Sequence, residues 1–434
     1  MAVSNQKRAS LHTLGCRLNQ SETAMIIERL QGAGYEIVPF GEPADLGIIN
    51  TCTVTGEADA KSRQLLRSFI RKNPEAYTAV IGCYSQIGHK VLSEIEGVDL
   101  IVGTPEKLNV LDSVAEGKNE KPLVVRDRID RDDFSIEVTG AAGKTRRANL
   151  KIQDGCDFMC SFCVIPFARG RARSRDLDNL LEEACMLAAK GTKEIVITGV
   201  NVGTYQHKGA DIVDVVNRLN EIPGIERIRI SSIEPTTIPD ALLRVMNEPK
   251  HALVPYLHVP LQSGSDHVLG LMKRKYSRLE YLNFVRHAEN EVNDICIGTD
   301  ILVGTPGETE EDFEETCMLL EDSPLGYAHV FKYSERPGTA AQRIPDHVSA
   351  ADKNRRSARI RRLAARKRTA FHERYIGRTV EVLFEHEEGG HWTGYTGNYI
   401  RVAARSTNRL ENEIRTVHLE GCRGDIVLGT LQDE

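Results

Sequence analysis

The sequence predicts an α/β protein in three parts: an N-terminal α/β domain with an open parallel sheet (8–116), a partial (β/α)6 barrel (142–372) and a small all-β barrel (375–434). Three observations carry that expectation. Short apolar runs alternate with helix-length stretches in two successive series, the pattern of parallel strands joined by helices. Near residue 375 the alternation gives way to short strand-like segments between glycine-rich turns. The length of 434 residues, at roughly 150 per domain, allows about three domains, each able to bury its own core.

In the first series, Leu11–Leu14, Leu46–Ile49 and Ala79–Ile81 read as strands, and each is followed within one to three residues by a cysteine: Cys16, Cys52 and Cys83. Ligands of open α/β sheets bind at the carboxyl ends of the strands, so three cysteines far apart in sequence are expected to meet at one sheet edge. Residues 117–147, charged and irregular with Gly140, Gly143 and Lys144–Arg147, read as a linker. Strands of the second series are expected at Asn149–Gln153, Glu194–Thr198, Arg227–Ser231, Pro255–Val259, Cys296–Val303 and Ala328–Tyr333, two units short of an eightfold barrel. Asp352–Arg374 reads as a helix, followed by strands at Thr379–Phe384, Gly397–Ala403, Val417–Leu419 and Ile426–Leu428.

Hydrophobic residues make up 41% and charged residues 27%, which excludes a mainly disordered or collagen-like chain. Met1–Ser10 lacks the apolar core of a signal peptide, and no run reaches the roughly 18 apolar residues of a membrane span, so a soluble cytoplasmic protein with no membrane partner is expected. In that setting ten cysteines point to metal or redox chemistry. The net charge of −6 carries no hint of nucleic acid.

The sharpest local signal is Gly155-Cys156-Asp157-Phe158-Met159-Cys160-Ser161-Phe162-Cys163, directly after the first strand of the second series. Three thiolates at this spacing do not complete a four-ligand zinc site, whereas they can hold three irons of a [4Fe-4S] cluster and leave the fourth open. Structural zinc with a distant fourth ligand is the competing reading. For Cys16, Cys52 and Cys83 the competing reading is three independent core cysteines. Cys185, Cys296 and Cys317 sit in apolar patterns and read as structural, and Cys422 lies in a glycine-flanked turn without an assigned role.

The triplet, with aromatic Phe162 before its third cysteine, resembles the signature of the radical S-adenosylmethionine (SAM) superfamily. That resemblance implies that SAM chelates the open iron and is cleaved by one electron to a 5′-deoxyadenosyl radical, chemistry that an acid-base side chain cannot supply at an unactivated C–H bond. Gly15–Glu22, Asn50–Thr55 and Gly82–Gln86 resemble the three motifs of the methylthiotransferase N-terminal domain. In fold terms the likeness implies a Rossmann-like α/β domain, a partial TIM-like radical SAM barrel and a TRAM-like RNA-binding barrel. It further implies two [4Fe-4S] clusters, one on Cys156, Cys160 and Cys163, the other on Cys16, Cys52 and Cys83 holding the sulfur to be transferred. By the same resemblance Gly199, Asn201, Glu234, Gln262 and Gly304 line the SAM site together with Phe162. For Gly304 an ordinary turn before a helix capped by Thr309 is the alternative.

Cys16-Arg17-Leu18-Asn19-Gln20, Glu57–Gln64, Ile165–Arg175 and Trp392–Thr396 look most like the MtaB-type branch, which acts on threonylcarbamoyl-adenosine in tRNA. The isopentenyl-adenosine branch usually has Gln-Met after the first cysteine and the ribosomal-protein branch Pro-Lys. An electron donor such as flavodoxin or ferredoxin is implied. Between Lys353 and Arg368 there are nine Lys or Arg and no acid. Such a cationic stretch leading into a β-barrel fits tracking of the phosphates of a tRNA anticodon stem-loop, with Lys353, Arg355, Arg356, Arg359, Arg362 and Arg366 as candidate contacts and Arg169, Arg171, Arg173 and Arg175 as an extension. A solvated helix face, or salt bridges to the chain's carboxylates, is the alternative. A non-catalytic RNA-binding protein holding zinc or a structural cluster is the rival from another class.

Overall fold

The computed structural model describes residues 6–138 and 147–432. Strands β1 (Arg8–Thr13), β2 (Glu36–Val38), β3 (Leu46–Thr51), β4 (Tyr77–Gly82), β5 (Leu100–Val102) and β6 (Leu123–Val125) form one parallel sheet in the order β2-β1-β3-β4-β5-β6. Every residue of β3 and β4 is buried, because helices cover both faces. Ile48, Ala79 and Ile81 pack on one side with Ile26 of helix Arg17–Gly32, and Ile49 and Val80 on the other with Leu66 of helix Gly56–Lys72. The linker expected from residue 117 is corrected at its start. Leu123–Val125 pairs in register with Leu100–Val102, so charged flanks had hidden an edge strand. Gly140, Gly143 and Lys144–Arg146 lie outside the described residues.

The second series forms β7 (Arg147–Lys151), a short antiparallel pair β8 (Gln153–Asp154) and β9 (Arg173–Ser174) around the cysteine loop, then β10 (Glu194–Thr198), β11 (Arg227–Ile230), β12 (Tyr256–His258), β13 (Cys296–Val303) and β14 (Tyr327–Lys332). β11-β10-β7 and β12-β13-β14 are parallel sheets linked by the bridge Ile228↔Leu253, giving a six-stranded arc close to the expected boundaries. Alternation decides the faces. Leu150, Ile195, Ile197, Ile228 and Ile297 pack outward with helix residues such as Leu180, Val216 and Val285. The intervening positions place Arg147, Glu194, Arg229, His258 and Asp300 on the concave side.

Helix Ala350–Glu373, capped by Ser349 Oγ accepting from Asp352 N, leads to a closed five-stranded barrel. Its strands are β15 (Thr379–Glu388), β16 (His391–Thr396), β17 (Arg401–Ala404), β18 (Ile414–Arg423) and β19 (Ile426–Leu431). The strand expected at Gly397–Ala403 begins only at Arg401. The four residues before it are a turn in which Ile400 N donates to Thr396 Oγ1 at 2.9 Å and Tyr399 adopts φ +68°. This small barrel docks on the amino-terminal ends of β7, β10 and β11. Arg147 pairs with Glu385 at 3.0 Å, and Arg229 donates to Gly397 O at 2.7 Å and Thr396 O at 3.2 Å. Among the described residues no helix is long and apolar enough to cross a membrane.

Candidate functional site

β1, β3 and β4 are neighbours, with Thr13 opposite Asn50 and Thr51 opposite Gly82, so the loops that leave their carboxyl ends lie side by side. Cys16 caps helix Arg17–Gly32, Cys52 follows β3, and Cys83 opens the helix after β4. Close approach dictates Gly15, whose φ is +96° and where a Cβ would lie 2.7 Å from Cys52 Cβ. Asn19 clamps two of these loops by donating to Leu14 O at 2.8 Å and Thr51 O at 3.0 Å. Burial pushes the Cys52 thiol up to about 11 and raises that of Cys83, with Cys16 adding to the rise in both.

Cys156, Cys160 and Cys163 occupy the loop between β8 and helix Ile165–Arg169 and are half-buried. Burial raises all three thiols, Cys156 to about 11 and Cys163 to about 12, with Cys160 adding to both. Arg274 counteracts this at Cys160, its Nη1 donating to Cys160 Sγ at 3.2 Å. Each set of thiols is thus close enough to interact electrostatically. Among the described residues no three His, Cys, Asp or Glu side chains converge as tightly as one ion requires. A cuboidal cluster separates its thiolates more widely, because each binds a different iron, so two sulfur-only triads fit clusters better than zinc. Binding such a group deprotonates the thiols.

The concave side beside the second triad collects most of the expected SAM residues. Gln153 Oε1 accepts from Val200 N at 2.8 Å and Asn201 N at 3.0 Å, anchoring the Gly199–Asn201 segment. Asn201 is buried, with Oδ1 accepting from Glu234 N at 3.3 Å and Nδ2 without a partner among the described residues. Burial raises the Glu234 carboxyl, which forms an ion pair with Arg274. Arg274 and Tyr276, whose hydroxyl donates to Pro260 O at 2.7 Å, belong to this centre and were missed, since Lys273-Arg274-Lys275 reads as a solvated charge run. Phe162 is half-buried in the loop, and Gln262 adopts φ +73° where it bridges to Ile301. At Gly304 the close approach is to Lys353, whose Cγ would lie 2.3 Å from a Cβ there, and the Gly304 N–H donates to Glu308.

A buried ionic network joins the two triads. Glu22 pairs with Lys107, with Lys151 at 2.9 Å and with Arg169 at 3.1 Å. Arg169 also reaches Asp154 Oδ1 at 3.0 Å and Asn19 Oδ1 at 2.6 Å. Asp154 Oδ1 in turn accepts from Gly155 N at 2.9 Å, just before Cys156. Burial opposes the charge on Glu22, but Arg169, Lys107 and Lys151 together hold its carboxyl well below the usual range. Arg169, Arg171, Arg173 and Arg175 all pair with carboxylates, the alternative to an RNA track. Arg171 pairs with Asp157, Arg173 reaches Asp154 at 3.8 Å, and Arg175 is buried against Glu183.

Most cations of the long helix are paired in the same way. Arg355 pairs with Glu310 at 2.8 Å, Arg356 with Glu308 at 3.0 Å, Arg359 with Glu314, and Arg366 with Glu321 at 2.8 Å, all on or just before the acidic helix Glu310–Asp322. Lys353 lays its stem on Gly304 and its ammonium 5.0 Å from the Tyr333 ring centroid. Arg361 and Arg362 are exposed and, among the described residues, have no carboxylate partner. Of the four remaining cysteines, Cys296 and Cys317 are buried, whereas Cys185 and Cys422 are exposed, so the apolar-face reading of Cys185 does not hold.

A parallel partial barrel that carries a Cys-x3-Cys-x2-Cys loop at the end of its first strand defines a radical SAM enzyme, and residues 150–320 match the Radical SAM superfamily. Residues 8–103 match the uncharacterized protein family UPF0004. A Bacillus subtilis protein named threonylcarbamoyladenosine tRNA methylthiotransferase MtaB is 36% identical, covering 94% of this chain and 93% of its own. A Neorickettsia sennetsu tRNA-2-methylthio-N(6)-dimethylallyladenosine synthase is 33% identical over 95% and 90%. The radical SAM methyltransferase TsrM from Kitasatospora setae, solved with cobalamin and a [4Fe-4S] cluster, shares the fold with TM-score 0.56, 15% identity and 77% coverage of each chain. The chain belongs to the radical SAM methylthiotransferase family.

Proposed function

We propose that this chain is a threonylcarbamoyladenosine tRNA methylthiotransferase, acting at C2 of the modified adenosine at position 37, beside the anticodon. Likeness to relatives of that name along nearly the whole chain carries the reading. The pair of sulfur-only triads joined by one ionic network supports it. Cys156, Cys160 and Cys163 would hold the cluster that binds SAM, and Cys16, Cys52 and Cys83 the second cluster. When bound, these groups supply the electron, the radical and the transferred sulfur. The protein's own part is positioning and exclusion. Arg274 neutralises Glu234 and donates to Cys160 Sγ, while Phe162, Gly199, Asn201, Glu234 and Gln262 would line the SAM site.

An anticodon stem-loop presents the target base in a single-stranded loop, where it can be splayed into a pocket. Arg361 and Arg362 are the cations of the long helix available to its phosphates. A cytoplasmic location and a flavodoxin- or ferredoxin-like electron donor complete the reading. Mass spectrometry of tRNA nucleosides from a deletion strain tests it: the methylthio form of threonylcarbamoyl-adenosine is expected to vanish. Loss of methylthiolated isopentenyl-adenosine instead would assign the activity named for the Neorickettsia relative. Anaerobically prepared protein is expected to carry about eight irons, from two four-iron clusters. Cys156→Ala should abolish SAM cleavage, whereas Cys52→Ala should spare cleavage and abolish sulfur insertion, both read by product analysis.

A further inference from the structure

Arg17 directly follows Cys16 and opens helix Arg17–Gly32. It is half-buried, and its Nη2 donates to Tyr399 OH at 3.0 Å. Tyr399 comes from the other end of the chain, in the turn between β16 and β17 that closes the amino-terminal end of the partial barrel. Its ring centroid lies 4.8 Å from those of both Tyr256 and Tyr395, and the Arg229 guanidinium lies 5.1 Å from it.

The charges around this phenol do not balance. Arg229 is matched by Glu194 at 2.7 Å and Arg147 by Glu385 at 3.0 Å, whereas Arg17 has no carboxylate partner among the described residues. Burial tends to raise the Tyr399 phenol, yet Arg17, Arg147 and Arg229 together bring it below its usual value, which marks the surrounding potential as positive. A guanidinium has five N–H donors, and Arg17 spends one on Tyr399. The phenol accepts that bond and one from Arg147, and keeps its own O–H to donate. Arg17 and Tyr399 thus offer two neighbouring donors, one of them cationic, beside a cysteine of the N-terminal triad.

We infer that Arg17 and Tyr399 form a carboxylate-binding subsite that receives the threonylcarbamoyl carboxylate of the substrate nucleoside. The inference rests on the substrate reading proposed above. If the sulfur is delivered from the triad that includes Cys16, the target base must lie against that triad, which brings its N6 substituent within reach of the next residue. A carboxylate fits the planar fork of arginine through charge-assisted hydrogen bonds. An isopentenyl group has no charge to offer and would leave Arg17 desolvated and unpaired, which penalises the wrong substrate more than it favours the right one.

The test uses the holoenzyme and two anticodon stem-loop RNAs, one bearing threonylcarbamoyl-adenosine and the other its neutral carboxamide analogue. Both Kd, by fluorescence anisotropy, and kcat/KM are measured. The wild-type protein should prefer the acid by about 10- to 100-fold, the size of a hydrogen bond to a charged group. Arg17→Gln should bring the two RNAs within about 3-fold of each other, and Arg17→Lys, which keeps charge without the fork, should fall between. An unchanged acid-to-amide ratio in Arg17→Gln overturns the subsite. If Arg17→Gln loses its clusters, Tyr399→Phe reads the same ratio: a fall of about 3- to 10-fold, the size of one lost hydrogen bond, supports the subsite, and no change overturns it. A wild-type protein that ignores both RNAs and modifies isopentenyl-adenosine RNA would overturn the substrate reading itself, a result distinct from failure of the subsite alone.

Discussion

Arg169 and Arg366 each hold a glutamate, but the side chain of the first is 1% exposed and that of the second 70%. Around Arg169, at the seam between the N-terminal domain and the partial barrel, Glu22, Asp154, Lys107 and Lys151 are all buried, and Glu22, Asp154, Lys151 and Arg169 each have more than one partner. Around Arg366 the long C-terminal helix meets the acidic helix through a row of pairs that is mostly open to water. The same chemistry gives different results because water screens the second set and is excluded from the first. Buried pairs fix one geometry, here the spacing of two thiol triads. Exposed pairs add little stability and instead withdraw positive charge from other partners.

Removing one buried carboxylate should produce the largest effect. Glu22→Gln leaves Lys107, Lys151 and Arg169 short of negative charge, and an expected loss of about 3–5 kcal/mol should appear in urea or thermal unfolding. A loss below about 1 kcal/mol would erase the distinction between the two seams. Arg356→Ala probes the middle of the range, because Arg356 and Glu308 are the buried members of the otherwise exposed row. The expected loss is about 1–3 kcal/mol at neutral pH. Burial raises the Glu308 carboxyl to about 7, with Arg356 opposing. A carboxyl raised in the folded state binds its proton more tightly there, so its contribution falls as pH climbs from about 4.5 towards 7. The Arg356→Ala deficit should therefore be smaller at pH 5 than at pH 8.

Binding of RNA sharpens the comparison from the other side. With most of the helix's cations matched by carboxylates, the Arg361→Ala, Arg362→Ala double variant should flatten the slope of log affinity against log salt by about 1.4 to 1.8, the release expected for two phosphate contacts. Arg366→Ala should leave that slope unchanged. Smallest of all is the acid response of the exposed row. Hydrogen bonds from Arg355 hold the Glu310 carboxyl down to about 2, so its contribution is present at neutral pH and is lost as pH falls from about 4.5 towards 2. Given its exposure that loss should be about 0.5 kcal/mol or less, read as faster amide exchange in the two helices.

These contrasts also explain what the sequence could reveal. Strand periodicity located β10 and β13 at their observed ends, because buried parallel strands leave apolar runs between helix-length spacers. The short edge strand Leu123–Val125 escaped because its residues are half-exposed and flanked by charges. Cysteines at strand ends were legible as a set, since topology alone brings Cys16, Cys52 and Cys83 together. The charges were not legible. Whether Arg359 meets a phosphate or Glu314 depends on a helix 45 residues away in sequence, and the burial of Arg169 depends on a domain made 147 residues earlier. Arg274 escaped for the same reason, its partners Cys160 and Glu234 being supplied by other loops.

The docking of the C-terminal barrel has a temporal side. Arg147 waits for Glu385 across 238 residues of chain. At the usual 5–20 residues per second of synthesis, that interval is on the order of ten to fifty seconds. During it the partial barrel emerges with arginines on its inner wall and no Tyr399 turn to close its end. The nascent protein is accessible from both ends before it is accessible from one, so the last sixty or so residues also act as a late stopper on a chamber built long before them.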